Sequence, residues 1–514
     1  MQESEFSESE FGEQIFGNET QFIVLTSRTG NAVYFKGDEN QSVNLAPIST
    51  SQEVISELFG QQFTYWTCKE SKIVFYNYNT LIFIAIGQEG ESIAFLKRQL
   101  LLVKGLFFLK FGLLFMKKLI YDGQFSARNK KAMITQLIDT MIRLSRDNQS
   151  FLVQANSRTH KRYIVKQVEN QLQHVVQQND EVEIALLFQD TQLIGYIKSN
   201  NVETVNQKDI FLMIIYIQSL FNSTNKLFSE TSSQSEKSTK NSSENLNKSS
   251  KEVNEEDNEN EENNLENEKI SKMENEIKIK QPVKDFLDII FLRTKLKSKA
   301  REEYLVYTSE LQESTILVLI NKKKTITRED VKKEKEKYRK VSNDFYQRIY
   351  QNAEMLGAIP FSITSFDQLF PGLVHFILVD RTNNLVFCPT IPIEQTTGPL
   401  IKKKVWDLCS VSQSYLMKGC SSMTIKLGEW CYSYTLWFED QNKNLLSIPK
   451  VLPVNEIEDS QDFYEDLTSK LDLGKNVKCW ELYTLYTGLL PYETVQHHNL
   501  GLYKNIFDRL IGQF

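Results

Sequence analysis

Two short apolar strands, a tight turn between them and a helix directly behind: this unit occurs three times in the 514 residues. In the first, Phe22–Thr26 reads as a strand, Arg28, Thr29, Gly30 and Asn31 as turn chemistry, and Ala32–Phe35 as the returning strand. Thr50, Ser51, Gln52 and Glu53 form a capping-box pattern. Val54, Ile55, Leu58 and Phe59 follow at helical spacing, and Gly60 can close the helix. In the second, Glu183–Phe188 and Leu193–Lys198 flank the turn Gln189–Gln192, and a helix is expected from Asn206 to Phe221. In the third, Val374–Val379 and Leu385–Cys388 flank Asp380–Asn384, with a helix from Pro399 to Leu416. The copies share no residue-level identity, so the repeat is one of architecture.

Each unit continues in a similar order. After the first come strands at Phe63–Thr67, Lys72–Tyr78 and Leu81–Ile86, then helices at Glu91–Phe111 and Arg128–Arg146. Asn156–Gln178 is polar and mostly helical. Strands at Phe286–Arg293, Glu303–Thr308 and Thr315–Ile320 complete the second unit. A helix capped at Thr327 follows, with Val331, Tyr338, Val341, Phe345 and Ile349 as its stripe. The third unit adds Met423–Leu427, Trp430–Phe438 and Cys479–Tyr486. A short helix, Asp459–Leu471, lies before the last strand, and a closing helix, Leu500–Gly512, comes after it.

Composition bounds the function. The formal charge is −6, and residues 229–280 alone hold 14 Asp+Glu against 8 Lys+Arg. The remainder is near neutral, which argues against a general nucleic-acid binder. Residues 229–280 are rich in Ser, Asn, Glu and Lys, cannot offset their own ordering entropy, and read as a disordered insertion. Residues 1–20 carry six Glu and no basic residue, with Phe6, Phe11 and Phe16 at a spacing that suits neither helix nor strand. They read as a disordered acidic tail. No secretory leader is apparent, and the six cysteines form no C-x-x-C pair, so reduced core thiols are expected. The run Ile93–Ile120 is strongly apolar, but Lys97, Arg98, Lys104, Lys110, Lys117 and Lys118 interrupt it. A long helix buried on most faces and breaking near Gly112 is the expected form; amphipathic membrane contact is the weaker alternative.

Residues that could carry chemistry are scarce. The chain has no phosphate loop, no G-x-G-x-x-G, no H-E-x-x-H and no nucleophile elbow. His160, His174, His375, His497 and His498 have no metal-ligand spacing with cysteine, and His375 reads as a satisfied core imidazole. No catalytic residue, metal or cofactor is expected. Two basic clusters stand out, Lys322, Lys323 and Lys324 with the lysines behind them, and Lys402, Lys403 and Lys404. They read as solvated helix faces, or alternatively as a patch for anionic lipid headgroups.

The order strand–strand–helix–three strands–two helices resembles the longin domain, and three in one chain resembles the vacuolar fusion protein Mon-one family. Phe22–Tyr34 is similar to that family's opening hairpin. Leu193–Ile197 with Asp209–Leu212 resembles the opening of its middle domain, Pro371–Leu378 that of its third, and Trp480–Tyr483 with Tyr503–Leu510 its final strand and helix. Where the family has a Trp–Pro–Ile–Cys–Leu–Pro run, this chain has Gln281–Phe286. The Hermansky–Pudlak and Fuzzy proteins are related triple-longin families.

The resemblance implies an α/β fold of three longin-like domains, each a five-stranded mainly antiparallel sheet with flanking helices. They would cover 21–149, 150–355 with the insertion 229–280, and 356–514 with an insertion at 440–476. It implies a subunit of a two-protein guanine-nucleotide exchange factor, paired with a Ccz-one-like longin subunit and acting on a Rab-seven-type GTPase. The implied place is cytoplasmic, peripheral on phosphoinositide membranes of late endosomes or vacuoles, in vesicle trafficking, fusion and autophagy. A longin adaptor or tether without exchange activity is the alternative. The family's first domains form the GTPase platform. With the first helix at Ser51–Phe59, Val54, Ile55 and Leu58 are expected on its own sheet, leaving Gln52, Glu53, Ser56, Glu57 and Phe59 for the interface. Phe59 reads by default as core, with an interface anchor as the alternative.

Overall fold

The computed structural model describes residues 20–506 apart from 27–29, 31, 37–45, 61–62, 68–70, 80, 89, 123–127, 158–161, 201, 222–283, 295–300, 313, 323–327, 351–362, 364–365, 367, 392–396, 456, 458–459, 461 and 475. The acidic tail and the 229–280 insertion lie outside the described residues.

The first unit consists of β1 (Gln21–Thr26), β2 (Ala32–Tyr34), α1 (Ala46–Phe59), β3 (Tyr65–Thr67), β4 (Ser71–Tyr78) and β5 (Leu81–Gln88). The helices α2 (Ile93–Asp122) and α3 (Arg128–Asp147) follow. Its five strands are antiparallel in the order β2-β1-β5-β4-β3. Then come α4 (Gln149–Leu152), β6 (Asn156–Ser157), α5 (Arg162–Gln178), β7 (Ile184–Gln189) and β8 (Gln192–Lys198). A helix over 207–221, α6, stands behind that second hairpin. The second unit is completed by β9 (Asp285–Arg293), β10 (Arg301–Gln312), β11 (Thr315–Asn321) and α7 (Arg328–Tyr350). The third has β12 (Leu373–Asp380), β13 (Leu385–Phe387), α8 (Thr397–Met417), β14 (Ser422–Leu427), β15 (Trp430–Glu439), α9 (Phe463–Lys470), β16 (Lys478–Thr487) and α10 (Tyr492–Ile506).

Taken in chain order within each unit, the strands pair as second-first-fifth-fourth-third all three times. The second and third sheets are not separate, however. They run together as one eleven-stranded sheet, β14-β15-β16-β12-β13-β6-β8-β7-β11-β10-β9. The two-residue β6 pairs in parallel with β13 on one side and with β8 on the other. Its junction is therefore made between the hairpin edges of the two units.

Turn chemistry fixes the hairpins. Asp190 and Asn384 take positive φ (52° and 51°), a conformation that short polar side chains tolerate. Several boundaries differ from expectation, among them the start of α5 at Arg162 rather than Asn156. α1 starts at Ala46, so Thr50–Glu53 lies inside the helix rather than capping it. Pro47 in its first turn is the applicable start signal. The short helix before the last strand is Phe463–Lys470. α10 begins at Tyr492 rather than Leu500, directly behind Pro491, whose carbonyl accepts from Val495 N at 3.1 Å.

The core is layered around α2. One continuous apolar cluster joins a face of the first sheet (Val24, Tyr34, Phe83), α2, α3, α6 and the facing side of the second unit's strands (Leu186, Tyr304, Val318). Phe95 of α2 sits in the third unit's cluster with Cys409 of α8 and Tyr434 of β15. α2 breaks at Gly112, where φ is 65° and an added Cβ would stand 2.7 Å from the Phe291 ring. Two of its lysines, Lys104 and Lys110, meet partners within the fold. Lys104 lies over the Tyr76 and Tyr78 rings, at 4.7 and 4.5 Å from their centroids. Lys110 forms an ion pair with Asp288. Among the described residues no helix is long and apolar enough to cross a membrane.

His375 is buried in β12, with Nε2 2.6 Å from Gln149 Oε1. The Gln149 Nε2 donates to Pro389 O at 2.6 Å, which turns the amide oxygen to the imidazole and makes His375 Nε2 the donor. Burial pushes the imidazole pKa down to about 3. An unfolded chain takes up this proton below about pH 6.5, whereas the folded one does so only near 3. Between these values stability falls as pH falls, by up to about 1.4 kcal/mol per pH unit from this group. His375→Leu is expected to flatten the plot of denaturation midpoint against pH between 6.5 and 4; an unchanged slope would refute this assignment.

Candidate docking surface on the first unit

The helix behind each hairpin meets a different fate in the three units. α6 is buried along nearly its whole length, between its own strands and α2. α8 packs its Val405, Leu408 and Cys409 into the third unit's core, which also holds Phe95 of α2. α1 lies on the outer face of the first sheet, over Ile23, Leu25, Ile73, Phe75, Ile82, Ile84 and Ile86, and contributes Ile48 to that layer. Phe63 and Trp66 supply the rest of the local cover, stacking edge-on at 5.2 Å and each against Phe75 at 5.7 and 5.6 Å.

The far side of α1 is apolar and open. Val54, Leu58 and Phe59 are 45%, 73% and 73% exposed. Val54 and Leu58 are one turn apart, and Phe59 is adjacent. Glu53 and Glu57 flank the stripe on the exposed side, and Ser56 and Ile55 are half-buried. The helix ends where Gly60 takes φ 63° and its N–H donates to Ser56 O at 3.0 Å, leaving Phe59 at the tip. Tyr65, on the edge strand β3, is exposed too.

This corrects the sequence reading at four positions. Val54 and Leu58, expected on the sheet, face solvent. Gln52, expected outward, is 5% exposed, because its Nε2 donates to Phe63 O at 3.2 Å. A long amide that reaches a backbone carbonyl replaces an apolar side chain as the contact beneath the helix. Amphipathic spacing gives the apolar stripe but not which surface covers it. Glu53 and Glu57 are exposed as expected, and Phe59, whose default reading was core, is exposed instead.

The β2 edge is the second relevant feature. β2 pairs with β1 alone among the described strands, and its equivalents β8 and β13 are the edges that β6 joins. Tyr34 of β2 donates its hydroxyl to Asp139 Oδ1 of α3 at 2.8 Å, which fixes the strand on the inner helices. Burial, with Asp139 alongside, pushes that phenol far above its usual range.

The basic clusters are less available than their sequence suggests. Lys322 pairs with Glu302, Lys402 with Asp147 at 3.6 Å and Lys404 with Asp407 at 3.7 Å. Lys403 is exposed. Lys323 and Lys324 lie outside the described residues. Among the described residues no group of His, Cys, Asp and Glu is arranged to hold a metal. The described cysteines, Cys388, Cys409, Cys420, Cys431 and Cys479, are free thiols.

Residues 20–141 match the family model described as the first longin domain of FUZ, MON1 and HPS1. The match spans β1 to α3, roughly a quarter of the chain. It supports a longin family of this type without preference among its three members.

Proposed function

From a first unit of the FUZ, MON1 and HPS1 longin type and an α1 face left open, we propose that this chain is one subunit of a heteromeric guanine-nucleotide exchange factor in vesicle trafficking. Its substrate is a Rab-seven-type GTPase, and its partner a second longin subunit of Ccz-one type. The reading extends to a peripheral place on phosphoinositide membranes of late endosomes or vacuoles. The observation that carries it is the contrast between α1 and its two counterparts. α6 and α8 are covered within the chain, whereas among the described residues the apolar stripe Val54, Leu58 and Phe59 is not.

Exchange of this kind needs no nucleophile or metal from the chain. It needs a surface that binds the nucleotide-free GTPase more tightly than the loaded one. A paired α1 face supplies an apolar centre with an acidic rim at Glu53 and Glu57, the layout of a protein interface. The test is release of a fluorescent guanine nucleotide from a Rab-seven-type GTPase with this chain, with the partner, and with both. Release that requires both supports the proposal. A stable complex without release would replace it by a longin adaptor or tether.

A further inference from the structure

Where the three units meet, a cleft opens that the docking surface does not use. Arg98 and Leu102 of α2, Lys208 of α6, Arg293 of β9, Arg381 behind β12 and Tyr464 of α9 line it. Lys208 Nζ and Asp462 Oδ1 are 3.6 Å apart, so the N-terminal ends of α6 and α9 face each other there. Both ends carry the positive pole of a helix dipole. Tyr464 stands between two guanidiniums, with Arg381 at 4.4 Å and Arg98 at 5.6 Å from its ring centroid. Its hydroxyl accepts from Arg98 Nη1 at 3.2 Å and donates to Glu481 Oε1 at 2.7 Å.

The carboxylates present do not match these cations. Asp209 is shared by Arg293 and Arg301, at 2.9 and 3.2 Å. Asp462 is shared by Arg293, at 2.9 Å, and Lys208. Glu481 is taken by Arg381. Counting Glu465, which also acts on Lys208, five cations face four carboxylates among the described residues. Arg98, Lys208, Arg293 and Arg381 line the cleft and none of these four acids does, and the Lys208 side chain is 26% exposed. Burial pushes its ammonium down to about 8, with Asp462 and Glu465 pulling it back up and Arg293 and Arg98 adding to the fall. The cavity is about 70 Å³. A single water needs about 10–15 Å³ of such space, so one phosphate fits.

We infer that this three-way junction is a binding site for a phosphate-class oxyanion, held by Lys208, Arg98 and Arg293 at the facing ends of α6 and α9. The anion adds negative charge to this set of cations and so ties the first, second and third units together. It is either a free phosphate ion or a phosphate group of a soluble inositol phosphate. The assignment is independent of exchange activity.

The test uses the full chain in thermal unfolding and calorimetry. The probes are inorganic phosphate, inositol hexakisphosphate, and vesicles of phosphatidylcholine with or without a phosphoinositide, all at ionic strength matched with sodium chloride. Saturable stabilisation by a soluble probe is expected, with affinity at least tenfold weaker in Lys208→Gln and unchanged in Lys403→Gln. At pH 8.5 binding should take up protons, seen as a dependence of the heat on the buffer, because the anion returns charge to Lys208. The Lys208→Gln chain itself should unfold no earlier than the parent, since it buries no ammonium. No saturable response to either soluble anion, or an equal response in Lys208→Gln, would overturn the inference. Binding confined to phosphoinositide vesicles would do so as well, since it places the ligand on the surface.

Discussion

Replacing Glu481 by alanine is expected to destabilise the full chain by about 3–5 kcal/mol, the cost of leaving a buried charge without its partner. Glu481 lies in the middle of β16 and is fully buried. It pairs with Arg381 and accepts from Tyr434 and Tyr464 at 2.7 Å each and from Tyr483 at 3.2 Å. Burial alone would raise its pKa, but Arg381 and Arg98 outweigh this and hold it below the usual carboxylate value. Truncation would strand the Arg381 guanidinium, whose remaining acceptor is Val153 O. The double replacement Arg381→Leu with Glu481→Leu should cost less than either truncation alone, since it removes both charges. Denaturant midpoints of the three chains decide the matter, and a double variant as unstable as Glu481→Ala would show that the pair is not the source of the loss.

The second large effect is on association. Leu58→Asp with Phe59→Asp should weaken capture of a longin partner at least 100-fold while leaving the unfolding midpoint of the isolated chain unchanged. Exposed side chains with few native contacts contribute within about 0.5 kcal/mol to stability. Buried at an interface centre, apolar anchors reach about 2 kcal/mol or more each, and a charge in their place adds desolvation. Glu53→Lys with Glu57→Lys should act more weakly, mainly on the association rate and its salt dependence, as charges at a rim do. Surface-capture kinetics at two salt concentrations separate the two variants. Full affinity in the Leu58 and Phe59 variant would make this helix face ordinary surface.

The residues announce the strands of this fold more clearly than its assembly. Hairpins were legible because their turns need particular side chains, as at Asp190 and Asn384. The buried course of α2 and its break at Gly112 followed from an apolar run cut by lysines. Lys104 and Lys110 end on Tyr76, Tyr78 and Asp288, partners that only the fold brings near. The joined sheet was not legible, since Asn156 and Ser157 are two polar residues with no strand pattern and act through the edges they happen to meet. At the docking surface, Phe59, read by default as core, is exposed, while Glu53 and Glu57 fell where the helix spacing put them. Gln52 did not, because a satisfied amide can be buried, and Val54 and Leu58 did not, because their cover is not within the described residues. The cationic cleft gave no local signal at all: Arg98, Lys208, Arg293, Arg381 and Tyr464 come from all three units.

The position of α2 bears on how the chain can be divided for expression. A piece ending at residue 141 would contain the whole segment that matches a known domain. It would also carry Phe95, torn from the cluster of Tyr432 and Tyr434, and Phe108, torn from Arg301, whose guanidinium lies 5.9 Å from its ring. Its side of the cluster shared with Leu186, Tyr304 and Val318 would face water. Exposed apolar area of that kind drives aggregation. The border of similarity therefore falls at 141, while burial runs on through α2 into strands more than 330 residues farther along the chain, such as β16 at Lys478–Thr487.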